Sequence, residues 1–208
     1  MPVGEGFGVA FPQDEYDQRL TAVRKGMADR GAEVLLLFAP TNIFYLTGYN
    51  TVGYTNYQCL AVPVDAPPLL VVRLLERPVA EATTRLKAVV TYEDHEDPAG
   101  AVRRAVHEAG LMKRHLAAER TSPFLSVKDY ARLEETLGTA LADGSGLVEA
   151  ARVIKSPREM ECLRAAARCT QAGMRAAIDA IAEGKAENAV AGECYRAMVG
   201  AGSEFFSR

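Results

Sequence analysis

Apolar positions recur along this chain with two periods, and the alternation between them predicts its elements. After Pro12 and Asp14, the residues Tyr16, Leu20, Val23 and Met27 follow one another at helical spacing, and Gly31 stands where such a helix stops. Val34-Leu35-Leu36-Leu37-Phe38 comes next as an unbroken apolar run closed by Pro40, the pattern of a short strand buried on both faces. Residues 59–64 and 69–73 read as two strands. They are joined by Asp65-Ala66-Pro67-Pro68, whose prolines cannot continue a ladder and favour a hairpin turn. A helix is predicted over 76–86, with Pro78 tolerated in its first turn, then a strand over 88–92 and a helix over 98–109 ended by Gly110. A short strand over 115–118 and a helix over 127–137 complete an alternating α/β series that runs to about residue 150.

The pattern changes at Ile154-Lys155-Ser156-Pro157-Arg158-Glu159. Ser156 can cap a helix, Pro157 suits its first position, and Glu159 completes a capping box. Met160, Leu163, Ala167, Thr170, Met174, Ile178 and Ile181 then keep helical spacing as far as Gly184, and a second helical pattern passes through Val190, Cys194, Tyr195 and Met198. The expected organisation is a flexible glycine-bearing tail over 1–13, an α/β domain over 14–150, and over 151–208 two helices opening a second unit. Two helices bury too little surface to stand as a domain. Because the closing residues Gly202 to Arg208 lack the polar taper of an ordinary tail, that unit reads as interrupted.

Composition narrows the classes of function. The chain has 208 residues, 49% of them hydrophobic, with 25% charged and a formal net charge of −3. Such a balance offers no basic footprint for nucleic acid or anionic lipid. The longest apolar runs are strand-sized, well short of the ~20 residues that span a bilayer, and the acidic N-terminus does not resemble a secretory signal, so a cytoplasmic protein is expected. Four scattered cysteines without C-x-x-C spacing are expected to be reduced, and Cys162 and Cys169, though on one helical face, lack the histidines of a zinc site.

Several candidates for chemistry have plainer explanations. Gly4-Glu5-Gly6-Phe7-Gly8 follows no strand and precedes no P-loop lysine, so it reads as tail. Glu93-Asp94-His95-Glu96-Asp97 offers metal-ligand types, but neighbouring side chains in a loop splay apart, and Asp97 before Pro98 suits a helix cap. His107 and His115 have no evident catalytic partner, and no G-x-S-x-G elbow is present. The stretch from Asn42 to Gln58 differs in kind, being rich in tyrosine, asparagine and glycine. Tyrosine gives flat apolar contact with a hydroxyl, asparagine and glutamine read amides and carboxylates, and glycine lets backbone approach a ligand. A tyrosine-rich connection packed on its own sheet is the alternative.

Three stretches together resemble the creatinase/prolidase family, which includes aminopeptidase P, proline dipeptidase, creatinase and ectoine hydrolase. They are the helix from Tyr16 leading into Val34-Leu35-Leu36-Leu37, the segment Asn42-Ile43-Phe44-Tyr45-Leu46-Thr47-Gly48-Tyr49, and the junction from Ala151 through Lys155-Ser156-Pro157-Arg158-Glu159 to Ala166. The resemblance implies a mixed β-sheet flanked by helices, followed by the first two helices of a pita-bread catalytic domain that is incomplete here. That domain in the family carries two aspartates, a histidine and two glutamates for a pair of divalent ions (Mn, Co or Zn), which activate a bridging water against a C–N bond; creatinase instead works without metal. The chain ends before those positions, so no catalytic residue and no metal ligand is carried over, and the chain alone is expected to be inactive. The resemblance also implies a homodimer in which this domain closes the partner's active site over a small peptide or other small C–N substrate. By position after the Thr47-Gly48-Tyr49 turn, Tyr54 and Asn56 resemble the residues that in creatinase reach the partner's substrate, and with Tyr49 and Gln58 of the same stretch they are the substrate-binding candidates. A stand-alone binding or dimerisation module of the same fold is the competing expectation.

Overall fold

The computed structural model describes residues 10–204. The glycine stretch at the start, through residue 9, and the terminal Phe205-Phe206-Ser207-Arg208 lie outside the described residues. Helix α1 (Gln13–Asp29) leads into β1 (Val34–Leu37), α2 (Pro40–Thr47), β2 (Cys59–Pro63) and β3 (Leu69–Arg73). A 3₁₀ turn (Leu74–Glu76) and α3 (Arg77–Thr83) then precede β4 (Ala88–Tyr92), α4 (Pro98–Glu108), β5 (Leu116–Ala118) and α5 (Val127–Leu137). The series ends with β6 (Ala142–Asp143), α6 (Leu147–Arg152), α7 (Pro157–Ala180) and α8 (Glu187–Gly200). Among the described residues, 10–153 form one compact unit and 154–204 another.

The first unit is built on one six-stranded sheet in the order β4-β3-β2-β1-β5-β6. β2 runs antiparallel to β1 and β3, and every other pairing is parallel. All four residues of β1 are buried, as an unbroken apolar run at the centre of a covered sheet requires. Val34, Leu36 and Phe38 share one core with Val102 and Val106 of α4 and Leu133 and Leu137 of α5. Leu35 and Leu37 point the other way, into a second core with Val23 and Met27 of α1, Ile43 and Leu46 of α2, and Leu147 and Val148 of α6. Helices therefore cover both faces of a mixed sheet, the three-layer arrangement that the alternating pattern predicts.

Local chemistry explains the element ends. The Asp97 side chain accepts from Ala99 N at the start of α4, and the Ser126 hydroxyl accepts from Asp129 N at the start of α5. Two stretches fold differently from the pattern reading. The helix expected over 76–86 is a 3₁₀ turn followed by a short helix that stops at Thr83, because Thr84 turns extended. Residues 40–47, over which no element is predicted, form α2: Pro40 closes β1 and also occupies the first turn of the next helix.

In the second unit, Ser156 and Glu159 form the reciprocal capping box at the start of α7. Gly173 of α7 lies against Met198 and Cys194 of α8, close enough that a Cβ would come 3.0 Å from the Met198 sulfur. Leu163, Met174, Ile178 and Val199 are exposed on these helices, as is Ile181 just past the end of α7. Among the described residues, no helix is long and apolar enough to cross a membrane.

Candidate functional site

Sheet direction gathers the loops of interest. β1, β3, β4 and β5 run the same way and β2 runs against them. The carboxyl ends of those four strands and the amino end of β2 thus meet at one edge, where open α/β sheets place their ligands. The segments at this edge are 38–39, 48–58, 74–76, 93–97 and 119–126.

The loop 48–58 begins at Gly48, which caps α2 in the left-handed conformation (φ 79°) and donates to Phe44 O at 2.8 Å. A side chain there would also strike the Tyr16 hydroxyl at 2.6 Å, so glycine is required on both counts. The Thr47 hydroxyl donates to Ile43 O and accepts from Tyr49 N, turning the chain back toward the sheet. Tyr49 sinks to 2% exposure, and its hydroxyl donates to Glu76 Oε2 at 3.3 Å. The Thr51 hydroxyl donates to the same oxygen, and Gly53 N donates to Thr51 Oγ1 at 2.8 Å. Asn56 N closes a turn on Gly53 O at 2.9 Å.

The four candidates therefore occupy two levels. Tyr54 and Asn56 sit half-buried at the loop tip, with the Tyr54 ring edge-on to Phe124 at 6.2 Å between centroids. Tyr49 and Gln58 lie beneath; Gln58 is 4% exposed and its Nε2 has no hydrogen-bond partner among the described residues. Tyr57 packs edge-on against Phe38 and accepts from the Tyr92 hydroxyl at 2.6 Å through its carbonyl. Burial, and after it the nearby Glu76 charge, raises the Tyr49 pKa, while burial pushes Tyr92 up to about 12. Both hydroxyls are thus fixed as protonated donors at neutral pH.

A second polar cluster, which the sequence did not single out, lies at the ends of β1 and β5. Glu119 is 2% exposed and its Oε2 accepts from Phe38 N and Ala39 N, each at 2.9 Å. The Asn42 amide donates to Glu119 Oε1 and to Glu149 Oε1, and the Asn42 oxygen accepts from Arg152 at 2.7 Å. Burial raises Glu119 above the ordinary carboxylate range. It also pushes Glu149 upward, but hydrogen bonds from Asn42, its own backbone and Glu119, with the Arg152 charge, outweigh this and hold it low. The two shifts are opposed, so Glu119 is the harder of the pair to ionise and Glu149 the easier. An acidic residue directly after the apolar run of β5 was the available sequence signal.

The remaining candidates stay apart. The acidic loop points outward: Asp94 pairs with Arg73, Glu96 accepts from Glu93 N, and Asp97 is the helix cap. The His95 side chain is exposed, and His115 Nδ1 lies 2.7 Å from Gly31 O. Cys59 is buried in the core, Cys162 is exposed, and the Cys169 thiol donates to Ala201 O at 3.3 Å. Among the described residues no three His, Cys, Asp or Glu side chains come together as metal ligands. These residues do not fit a metal pair.

Residues 19–154 match the model of the Creatinase/Prolidase N-terminal domain. The chain is 30% identical over 200 residues to an uncharacterised hydrolase/peptidase of Sinorhizobium fredii, covering 91% of this chain and 51% of the relative. It is 30% identical over 197 residues to the ectoine hydrolase of Halomonas elongata, covering 89% of this chain and 49% of that protein. The fold is similar to that of an Xaa-Pro dipeptidase from Bacillus anthracis, with a TM-score of 0.73 at 18% identity over 91% of this chain and 50% of that one. The chain thus spans about half the length of the curated relatives it matches.

Proposed function

Because the chain belongs to the creatinase/prolidase family, we propose that it is the N-terminal substrate-gating and dimerisation region of a cytoplasmic C–N bond hydrolase. The observation that carries this reading is the two-level loop: Tyr54 and Asn56 are presented at the carboxyl edge of the sheet, on a support formed by Tyr49, Thr51 and Glu76. Tyr54 and Asn56 contact the substrate, while Tyr49 and Gln58 shape the same surface from below. Their chemistry suits a compact substrate with polar edges, either an Xaa-Pro dipeptide or a small cyclic or guanidino compound. Likeness to an ectoine hydrolase supports the small-molecule branch.

Dimerisation is supported by the apolar side chains around the same edge. Val52, Leu75 and Phe124 stand exposed beside the loop, unusual for an edge that only solvates. Hydrolysis itself belongs to a second half, which in this reading supplies the metal pair. Two outcomes test the assignment. The 208-residue chain should turn over neither Xaa-Pro dipeptides nor creatine nor ectoine with Mn, Co or Zn present, and turnover would refute its catalytic incompleteness. In a complete enzyme, Tyr54→Ala and Asn56→Ala should each change substrate selectivity; unchanged kinetics in both would remove the gating role. Reading the coding sequence past codon 208 separates this reading from a stand-alone module: an open frame with two aspartates, a histidine and two glutamates supports the hydrolase, and a stop codon supports the module.

A further inference from the structure

Glu76 stands in the short turn after β3 at 8% exposure, yet among the described residues no basic side chain pairs with it. Arg73, three residues earlier, directs its guanidinium to Asp94. A carboxylate taken out of water without a cation must be met by hydrogen-bond donors. Its donors are the hydroxyls of Tyr49 and Thr51, both from the loop that carries Tyr54 and Asn56.

The loop also presses on the carboxylate from above. A side chain at Gly53 would run into Glu76, and that same position lies 2.8 Å from Asn56 Nδ2. Thr51 is the connecting piece, since it donates to Glu76 and accepts from Gly53 N. We infer that Glu76 is the positioning residue of this loop, fixing the height and orientation at which Tyr54 and Asn56 are presented. The functional side of the inference rests on the substrate-facing role proposed for the loop; the positional side stands on contacts alone.

The chain contains no tryptophan, so Tyr54→Trp places a single indole fluorophore at the loop tip, against Phe124. In that background, Glu76→Gln replaces one acceptor oxygen with a donor, and the acrylamide quenching constant of the introduced indole should rise roughly two-fold or more as the loop loosens. Gly53→Ala should produce the same rise from the loop side, because its Cβ would run into the Glu76 carboxylate and Asn56. Glu76→Asp, which keeps the charge but withdraws it by one methylene, should fall between. Thermal melting followed by circular dichroism separates loosening of the loop from loss of the fold. Should Glu76→Gln unfold the chain, Glu76→Asp decides: a rise in quenching upholds the inference. Quenching unchanged in every folded variant overturns it. Unaltered kinetics after Tyr54→Ala in a complete enzyme would remove the substrate-facing role while leaving the quenching result intact, so the two failures are distinguishable.

Discussion

Among single residues, Glu119 carries the largest local consequence. It satisfies two buried backbone N–H groups at once, and truncation leaves both orphaned and removes one of the two acceptors of the Asn42 amide. Glu119→Ala should cost about 3 kcal/mol or more in urea unfolding. Glu119→Gln keeps an oxygen for those donors and should cost far less. The pH dependence has a definite sign. Burial raises Glu119 above its unfolded value, so its contribution is fully present below about pH 4.3 and is lost as pH rises through its own raised value. Glu149 works oppositely: its contribution is present above the ordinary glutamate value and is lost as pH falls through its lowered one. Glu119→Gln does not titrate, so its stability relative to the native chain should improve as pH rises from the ordinary glutamate value through the raised one of Glu119. A pH-independent difference would rule out the raised Glu119 pKa. Gly48 makes a plainer case: Gly48→Ala meets both a left-handed backbone and the Tyr16 hydroxyl, and should cost about 1–2 kcal/mol from conformation alone, read as a lower Tm.

Among the elements, α7 depends most visibly on its first turn. Ser156 closes a capping box there, and Ser156→Ala should weaken the helix by ~1 kcal/mol in thermal unfolding. That helix start was legible because three residue types coincide at fixed offsets, and α5 was legible through its full length for similar reasons. β6 and α6 went unread because two residues and six residues are too few to establish a period. α2 was hidden by Pro40, which ends a strand and begins a helix equally well. The polar clusters were the hardest to foresee. Tyr49 and Asn42 stood out as residue types, but their acceptors Glu76 and Glu119 come from other strand ends, and only the folded sheet brings them within reach. Sequence patterning marks the loop that displays side chains, not the carboxylates that hold it in place.

Across the fold, the mixed direction of the sheet matters most. One antiparallel strand at its centre delivers the loop 48–58 to the edge where β1, β3, β4 and β5 all end. If that edge is the dimer face, Leu75→Glu, at a side chain 69% exposed, should shift the sedimentation coefficient from dimer to monomer without lowering Tm. A native chain that sediments as a monomer would count against the dimer. The pairing of β1 has a further effect, on how the protein is made. One neighbour, β2, follows closely in the chain, but the other, β5, begins only at Leu116. A ribosome releasing this chain exposes Val34-Leu35-Leu36-Leu37 as a bare, wholly apolar margin until β5 has emerged. During synthesis that margin is the stretch most open to capture by another nascent chain, and the interval to Leu116 is when a chaperone has most to protect.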